Sequence, residues 1–236
     1  MIDAVAPSRE LNARMDNDQQ ETFRELLRAQ RVWDTTLPAF DPATAPGTPL
    51  PLFHRWFAEA VAAGQTEPHT MTLATVDEQG RPDVRTLMLH DADERGWHFA
   101  SHVTSAKGRQ LAARPAAALG FYWAAQGRQI RVRGRVTAGA SAESQADLHA
   151  RSTGALAAAL TGRQSEVLGS REELATASQA AWERAQAEPD APVPTWTRYV
   201  LQPYEVEFFQ GDERRQHVRL RYRREESGRA RELLWP

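Results

Sequence analysis

The stretch 69-HTMTLATVDEQGRPDVRTLMLHD-91 decides the fold, because it has the pattern of two strands joined by a tight turn. Its first part, 69-HTMTLATV-76, alternates polar and apolar residues with the period of a half-buried strand. The segment 77-DEQGRP-82 contains the Asp, Gly and Pro that favour a hairpin loop. The second part, 83-DVRTLMLHD-91, supplies the returning strand. The sequence therefore predicts a β-hairpin here.

The regions on either side extend this β pattern. We predict further strands over residues 97–102, 116–123, 128–137, 197–211, 217–224 and 230–235. Helices are predicted over residues 19–31, 51–64, 104–113 and within 141–188. Short strands with hairpin-like joints indicate a mainly β chain with α additions (α+β), an antiparallel Greek-key barrel with peripheral helices. The chain has no β-α-β alternation and no G-x-G-x-x-G motif, which disfavours a dinucleotide-binding domain.

The composition excludes several classes of protein. The 236 residues carry a formal net charge of −2 and include no cysteine, so we expect no disulfide, thiolate catalysis or cysteine-based zinc site. This charge gives no reason to expect nucleic acid or a membrane surface as a partner. No apolar run approaches the roughly 20 residues that span a bilayer, and the polar N-terminus lacks the layout of a signal peptide. The sequence predicts a cytoplasmic protein.

We predict two parts of unequal size. Residues 1–50 form an N-terminal extension with a mobile segment over 1–18, a short helix and a Pro-rich connector. Phe23 and Leu27, among other apolar residues, recur at helical spacing and indicate the helix. Residues 51–236 form the barrel domain, including a C-terminal segment.

A basic stretch near the C-terminus is the clearest functional signal. The segment 215-RQHVRLRYRR-224 follows the apolar strand 203-PYEVEFFQG-211. Residues two apart share a face of a strand, so Arg215, His217 and Arg219 are predicted to project to one side. Two guanidinium groups flanking an imidazole suit an anionic or electron-rich planar ligand. The alternative is a solvated edge strand whose charges discourage aggregation.

Two further segments contain candidate binding residues. Arg85 interrupts an apolar strand, and an arginine there needs a carboxylate or a ligand oxyanion as its partner. The segment 101-SHVTSAKGR-109 combines hydroxyl groups, a helix start and Lys107, which favours phosphate binding. A capped, solvated helix is the alternative interpretation of this segment.

No metal site is predicted. His90, His98 and His102 are close in sequence, but no carboxylate-rich segment completes a ligand set. The chain also has no G-x-S-x-G nucleophile elbow. If the protein catalyses a reaction that side chains alone cannot carry out, an organic cofactor would therefore have to supply the chemistry.

The order of motifs from about Pro51 to Pro236 resembles the pyridoxamine/pyridoxine 5′-phosphate oxidase family, the FMN-binding split-barrel flavoproteins. The matching pieces are 70-TMTLATVDEQGRP-82, Arg85 with its strand, 105-SAKGRQL-111, 121-FYW-123, 128-RQIRVRGRV-136, 164-QS-165, 206-VEFFQG-211 and 215-RQHVRLRY-222. The resemblance implies an FMN-dependent oxidase that moves a hydride from a small cyclic substrate to FMN. It also implies O2 as the electron acceptor and a homodimer with FMN at the subunit interface.

The resemblance also assigns roles to residues. Those that would bind FMN are Arg85, Thr86, Leu87, Ser101, Lys107, Gln129, Gln164, Ser165, Phe209 and Arg219. Arg219 would approach the flavin ring, where a positive charge favours hydride acceptance. Arg215 and His217 would be catalytic, because they match residues that cover the substrate and can assist proton removal. The substrate site would be formed by these two residues with His90, Asp147 and Arg151.

Several positions depart from the family pattern. Where the vitamin B6 enzymes meet the substrate phosphate with lysine, tyrosine, arginine and serine, this chain has His90, Asp147, Arg151 and Ala155. Positions of the flavin site also differ, with Ala100 for an aromatic residue, Ala106 for an arginine and Phe209 for a tryptophan. Losing three phosphate contacts of about 1–3 kcal/mol each weakens phosphate binding by orders of magnitude.

These departures leave the substrate open. One alternative is oxidation of vitamin B6 phosphates. Another is oxidation of a non-phosphorylated aromatic precursor, as in the phenazine-biosynthesis oxidases that the pattern also resembles. A third is a flavin-binding protein without turnover. The sequence disfavours it, because it retains Arg215, His217 and Arg219. Haem-binding or deazaflavin-binding split barrels are disfavoured, because those relatives typically lack this C-terminal segment.

Overall fold

The computed structural model describes residues 9–31, 33, 36–225 and 228–236, with side chains from residue 19 onward. Its backbone contacts divide the chain into a first unit that ends at Thr36 and a second that begins at Leu37. The first unit contains helix α1 (Arg9–Ala29). This helix includes most of the one predicted over residues 19–31 and begins earlier, within the segment predicted as mobile. Residues 1–8 of that segment lie outside the described residues.

The second unit contains nine strands and five α-helices within its described residues. The strands are β1 (Thr70–Val76), β2 (Pro82–Met88), β3 (Asp91–Asp93), β4 (Gly96–His102), β5 (Ala116–Trp123), β6 (Arg128–Ala138), β7 (Trp196–Gln210), β8 (Val218–Glu225) and β9 (Gly228–Leu234). The helices are α2 (Pro49–Ala62), α3 (Ala106–Ala113), α4 (Ser141–His149), α5 (Thr153–Thr161) and α6 (Arg171–Ala187). These elements agree closely with the predicted ones.

All nine strands join one curled antiparallel sheet. Its order is β2-β1-β5-β6-β7-β4-β3, with β8 paired to β7 and β9 paired to β8. Two pairings, β1 with β5 and β4 with β7, join strands that do not follow one another in the chain. This arrangement confirms the predicted α+β class and the antiparallel half-barrel with helices around it.

The predicted β-hairpin is present as β1 and β2, which pair from Thr70↔Met88 to Val76↔Pro82. In its turn the Arg81 backbone N donates a hydrogen bond to Asp77 Oδ1 at 2.8 Å. The prediction of one strand over 83–91 was wrong at its end. The Leu89 backbone N bonds His69 O, and residues 91–93 then form the separate short strand β3.

The core lies between the inner face of the sheet and α2. Strand β6 alternates buried and exposed residues, so Ile130 and Val132 point inward and Arg131 points outward. Pro49 starts α2 at a position where a missing backbone N–H has no cost. Helix α2 then buries Phe53 and other aromatic side chains against the sheet, with the Phe53 ring 5.4 Å from that of Trp97 in an edge-to-face contact.

A smaller apolar cluster holds the three helices α4, α5 and α6 together. It includes Leu148, Leu156, Ala185 and Val193, all buried. Ser152 and Ser170 cap α5 and α6 by accepting bonds from the Ala155 and Glu173 backbone N atoms. The cluster fixes the end of α4, from which Asp147 and Arg151 reach the site described below.

The Pro-rich connector packs on the barrel. The Phe40 ring lies 5.0 Å from that of Trp56, and Tyr222 Oη donates a hydrogen bond to Pro46 O at 2.7 Å. The predicted boundary at residue 50 therefore does not coincide with the division after Thr36, and the two-domain assignment stays a prediction. Among the described residues, no helix is both long and apolar enough to cross a membrane.

Candidate cofactor and substrate site

The first group of predicted residues lies at the start of α3. Lys107 is buried, and its Nζ donates hydrogen bonds to Ser101 Oγ at 3.2 Å and to Gln164 Oε1 at 3.0 Å. Ser165 Oγ accepts a hydrogen bond from the Ala106 backbone N at 3.2 Å. We call Ser101, Lys107, Gln164 and Ser165 the Lys107 cluster. The structure brings together four residues that the sequence assigned to one cofactor.

Local sequence explains why α3 begins at this place. Ser105 caps the helix, since its Oγ accepts a bond from the Gly108 backbone N at 3.2 Å and donates one to His102 O at 2.7 Å. A Cβ atom at Gly108 would overlap the carbonyl oxygens of His102 and Val103. Only glycine lets the helix lie this close to the preceding loop. The positive end of the α3 dipole thus lies beside Lys107.

The loop after α5 supplies Gln164 and Ser165. Gly162 ends α5 in the left-handed conformation, with φ of 72°. Ser165 also has a positive φ, 74°, which is uncommon for a residue with a side chain. Its hydroxyl and the amide of Gln164 reach back to the start of α3, so a segment that reads as an ordinary turn in the sequence completes the cluster.

The charge of Lys107 has no full compensation within the cluster. Both of its hydrogen-bond partners are neutral groups. Burial, with a smaller contribution from the charge of Arg85, lowers the pKa of the Lys107 ammonium below its usual value of 10.5. A buried cation held by neutral groups is stabilised when an anion binds beside it.

Arg85 already has partners within the protein. Its guanidinium forms an ion pair with Asp83, with Nη2 2.5 Å from Oδ2, and donates to Gln110 Oε1 at 2.9 Å. Hydrogen bonding from Gln110, followed by the charge of Arg85, lowers the pKa of the Asp83 carboxyl. Of the two partners that the sequence allowed, the structure shows the carboxylate. A role for Arg85 toward FMN stays a prediction.

A cavity of about 700 Å³ extends from Gln164 of the Lys107 cluster to His90 and Arg151, two of the predicted substrate residues. Its lining includes Thr86, Leu87, His90, Ala100, Arg151 and Gln164. This volume is within the range of small-molecule sites. Predicted cofactor residues and predicted substrate residues therefore share one cavity.

The predicted substrate residues His90 and Arg151 line this cavity, and Asp147 contacts Arg151 without lining it. Arg151 donates to Asp147 Oδ2 from Nε at 3.1 Å and from Nη2 at 2.6 Å. Its Nη1 lies 3.2 Å from His90 Nε2, and its guanidinium lies 5.1 Å from the ring centre of Trp196. Burial, then the charge of Arg151, lowers the pKa of His90 from 6.5 to about 4. His90 is therefore neutral at pH 7.

A second group of predicted residues lies at another place on the sheet. Gln129, Phe209 and Arg219 are neighbours across β6, β7 and β8. Arg219 Nε donates to Glu207 Oε1 at 2.7 Å, and its Nη1 donates to Trp235 O at 2.9 Å. We call Gln129, Glu207, Phe209 and Arg219 the Arg219 cluster. Its four members line a cavity of about 220 Å³, and that cavity shares no lining residue with the larger one.

The prediction that Arg215, His217 and Arg219 alternate along one strand was wrong. Strand β8 begins at Val218, and Arg215 lies in a preceding turn with φ of 64°. Asp212 forms this turn, because its Oδ1 accepts bonds from the backbone N atoms of residues 214 and 216. The His217 ring accepts a bond from the Asp212 backbone N at 3.0 Å and lies 5.1 Å from the Phe209 ring.

Sequence reasoning missed several residues of these clusters. Glu207 pairs with Arg219, and its alternation with Val206 and Phe208 along β7 is the signal that puts it on the outer face. Trp196 has no signal in the sequence, because its contact with Arg151 spans distant parts of the chain.

The sequence analysis also missed a grouping of Asp91, Asp93 and His98, whose side chains offer metal-ligand atoms within 4.8 Å of one another. All three of these residues have protein partners, and Asp91 Oδ2 lies 3.8 Å from Arg198 Nη2. His98 Nε2 lies 2.7 Å from Asp93 Oδ1, and Arg95 Nε donates to Asp93 Oδ2 at 3.0 Å. The grouping therefore serves as a hydrogen-bonded ion-pair cluster.

Comparisons with known proteins agree with this geometry. The model of the pyridoxamine 5′-phosphate oxidase family matches residues 57–185, and that of the pyridoxine 5′-phosphate oxidase C-terminal dimerisation region matches residues 196–236. A pyridoxine/pyridoxamine 5′-phosphate oxidase of Pseudomonas fluorescens strain SBW25 is 43% identical over 206 residues, which cover 86% of this chain and 95% of that protein. One from Burkholderia lata is 43% identical over 187 residues, with 79% and 87% covered.

Solved structures show the same fold. PhzG from Burkholderia lata 383, in complex with tetrahydrophenazine-1-carboxylic acid, superimposes with a TM-score of 0.79 at 31% identity over 86% of this chain and 98% of that one. An FMN-binding protein from Nostoc punctiforme has a TM-score of 0.64 at 22% identity, with 78% and 97% covered, and shares the fold.

The fold and the matches define a split-barrel oxidoreductase. Its C-terminal strands correspond to a dimerisation region, which indicates a homodimer. The chain belongs to the pyridoxamine 5′-phosphate oxidase family.

Proposed function

We propose that the protein is an FMN-dependent oxidase that takes a hydride from a small cyclic substrate and passes the electrons to O2. The observation that supports this most directly is the buried Lys107 ammonium, whose hydrogen-bond partners are both neutral. Such a cation, at the start of a helix, suits a phosphate group of a cofactor. Membership of this family supports FMN as the cofactor.

The proposal assigns each predicted residue a place. FMN would be held by Arg85, Thr86, Leu87, Ser101, Lys107, Gln164 and Ser165 of one subunit and by Gln129, Phe209 and Arg219 of the second. Bound FMN would supply the hydride acceptor and would pass the two electrons to O2, which takes up two protons and is released as H2O2. The substrate loses one hydride and one proton, so the reaction balances.

The two-subunit site follows from the separation of the clusters. In one chain Gln164 of the Lys107 cluster and the four residues of the Arg219 cluster line different cavities. Arg219 belongs to the segment that matches the dimerisation region. We propose that a second copy places its Arg219 cluster against the Lys107 cluster of the first, which completes a site that neither chain has alone.

Arg215 and His217 are proposed to act on the substrate. The turn formed by Asp212 contains Arg215 and leads to His217, whose ring lies 5.1 Å from the ring of Phe209 in the Arg219 cluster. In the completed site they would cover the substrate, with Arg215 orienting it and His217 accepting the proton that its amine or hydroxyl group releases.

Two substrate classes compete. The relatives are named for pyridoxine and pyridoxamine 5′-phosphate, whereas the PhzG structure contains a tricyclic carboxylic acid without phosphate. The contacts of Arg151 with Asp147, and the neutral His90, favour a non-phosphorylated substrate. The names of the relatives favour a vitamin B6 phosphate as the substrate. The residues of the pocket favour a ring compound without phosphate.

Mixed dimers test the two-subunit site. Two differently tagged chains, one with Lys107→Ala and one with Arg219→Ala, are co-expressed, and the mixed dimer is purified through both tags. Each parent homodimer has a defect in both sites, whereas the mixed dimer has one site with both residues intact. We expect the mixed dimer to bind about one FMN per dimer with wild-type affinity, by flavin fluorescence.

The matched control pairs a wild-type chain with a chain that carries both substitutions. If the clusters combine across the interface, this dimer has no intact site and binds FMN weakly. If both clusters of one chain form one site, the control binds FMN and the first mixed dimer does not, which would refute the proposal. Wild-type protein that leaves flavin fluorescence unchanged would refute FMN binding itself.

A further inference from the structure

Asp147 restricts Arg151 through several contacts made by one oxygen atom. Asp147 Oδ2 accepts hydrogen bonds from Arg151 Nε at 3.1 Å and Nη2 at 2.6 Å, and from Trp196 Nε1 at 3.3 Å. The side chains of Arg151 and Asp147 are only 18% and 15% exposed. This partial burial makes the ion pair stronger than one on the open surface.

The other sides of the Arg151 guanidinium are also occupied. The Trp196 ring lies against it, with 5.1 Å from the guanidinium carbon to the ring centre. Nη1 lies 3.2 Å from His90 Nε2, and because guanidinium only donates, the imidazole nitrogen accepts. Nε and Nη2 of Arg151 both bind Asp147, so this edge of the guanidinium is already in use and is not open to bidentate binding of a phosphate.

The charges of Arg151, Asp147 and His90 sum to zero. Arg151 contributes one positive charge and Asp147 one negative charge, and His90 is uncharged while it accepts a hydrogen bond at Nε2. A phosphate dianion placed here would meet the Asp147 carboxylate without a surplus of positive charge. The wall of the cavity beside Arg151 contains Ala155, Ala158 and Ala159, which offer space and an apolar surface to a ring.

We propose that Asp147 is a specificity-determining residue that excludes substrates with a phosphate dianion at this end of the cavity, so that the substrate is a planar ring compound without phosphate. The proposal rests on the proposed function for the identity of the cavity as a substrate site. Asp147 acts through Arg151 and is therefore a positioning residue for the reaction.

The test compares two ligands that differ only in phosphate. 4-Deoxypyridoxine 5′-phosphate and 4-deoxypyridoxine are titrated into the FMN-loaded protein by calorimetry, since both lack the group that is oxidised. We expect the wild-type protein to bind the phosphate ester more weakly than the unphosphorylated ring, because the Asp147 carboxylate lies beside Arg151. Asp147→Asn should bind the phosphate ester at least about tenfold more tightly, with little change for the unphosphorylated ring, because Arg151 gains a free charge.

Two control variants isolate the charge of Asp147. Asp147→Glu keeps the carboxylate and should show no gain in phosphate affinity. Glu143→Gln removes an exposed acidic residue of the same helix, one that pairs with Arg95 outside this cavity, and should also show none. A gain in either control would assign the effect to general charge or to loosening of α4 and would overturn the proposal.

The wild-type protein alone is sufficient to refute the inference. If it binds the phosphate ester as tightly as the unphosphorylated ring, or more tightly, Asp147 does not exclude phosphate, whatever the folding of the variants. An unchanged phosphate affinity in a folded Asp147→Asn protein would refute it as well. These titrations involve no turnover, so a protein that fails to bind FMN or to oxidise any substrate refutes the proposed function separately.

Discussion

The Lys107 cluster and the Arg219 cluster both centre on a cation, but the two cations have different partners. Lys107 is buried and bonded to neutral oxygen atoms. Arg219 is paired with the buried Glu207 carboxylate, which also accepts a bond from Arg131. The first cluster therefore has positive charge available for an anion, and the second has its charge largely balanced.

This difference indicates different contributions to one site. An uncompensated buried cation gives affinity for a phosphate group. A guanidinium held by a carboxylate has a fixed direction and a weaker net field, which suits the orientation and electronic tuning of a ring. We therefore expect changes at Lys107 to affect FMN affinity most and changes at Arg219 to affect affinity less and reactivity more.

The largest effect is expected for Lys107→Met, which keeps the length of the side chain and removes its charge. Loss of charge-assisted hydrogen bonds of about 1.5–3 kcal/mol should weaken FMN binding about 100-fold. Titration with FMN, followed by flavin fluorescence, measures the change. Arg114→Met, at the other end of α3, removes a charge of the same sign and should bind as the wild-type protein does. Equal affinities of Lys107→Met and wild type would remove Lys107 from the site.

A smaller effect is expected for Arg219→Ala. We expect FMN binding to weaken about tenfold, or flavin reduction by substrate to slow by a similar factor, since one charge-assisted contact is lost. The control is Arg221→Ala on the same strand, whose guanidinium pairs with Glu232. Stopped-flow absorbance of the flavin gives the rate of reduction. If neither affinity nor rate changes, the Arg219 cluster is not part of the flavin site.

The smallest effect concerns the cavity beside the Lys107 cluster and appears as a pH dependence of stability. His90 has a pKa of about 4 in the folded protein and 6.5 in its ordinary state. Between these values the unfolded chain binds the proton and the folded chain does not, so stability rises with pH and is lost as pH falls from about 6.5 toward 4.

His90→Gln removes this contribution. We expect the free energy of unfolding of the wild-type protein to fall more than that of the variant between pH 7 and pH 4.5. The excess loss should be at most about 1 kcal/mol, because His90 is only partly buried at the edge of the cavity and solvent screens its charge. Urea unfolding at both pH values measures it. Parallel losses in the two proteins would show that the His90 pKa is not lowered on folding.

Much of the fold was predictable from local sequence. Strand β6 shows its alternation in the letters RQIRVRGRV, and the hairpin of β1 and β2 shows its turn in DEQGRP. Such signals are local, because period-two alternation and turn chemistry depend on residues a few positions apart. The bend at Asp212 was not predicted. Its side chain captures backbone N–H groups that a continued strand would have paired.

The sequence predicted which residues belong to the candidate site, but it did not predict which side chains they contact. Ser101, Lys107, Gln164 and Ser165 were assigned to one ligand through a family resemblance, and the structure brings them together. That Glu207 balances Arg219 depends on the register of β7 against β8. The chain order of the residues does not reveal that register.

The sequence by itself determined the strands, the helices, the family and most of the candidate site residues. It did so because periodicity, helix caps and motif order depend only on residues close together in the sequence and on their order. Only the tertiary structure decided that Lys107 keeps an uncompensated charge while Arg219 and Arg151 do not. Compensation requires a carboxylate within about 4 Å, and such distances between residues far apart in the chain are set by strand register and helix packing.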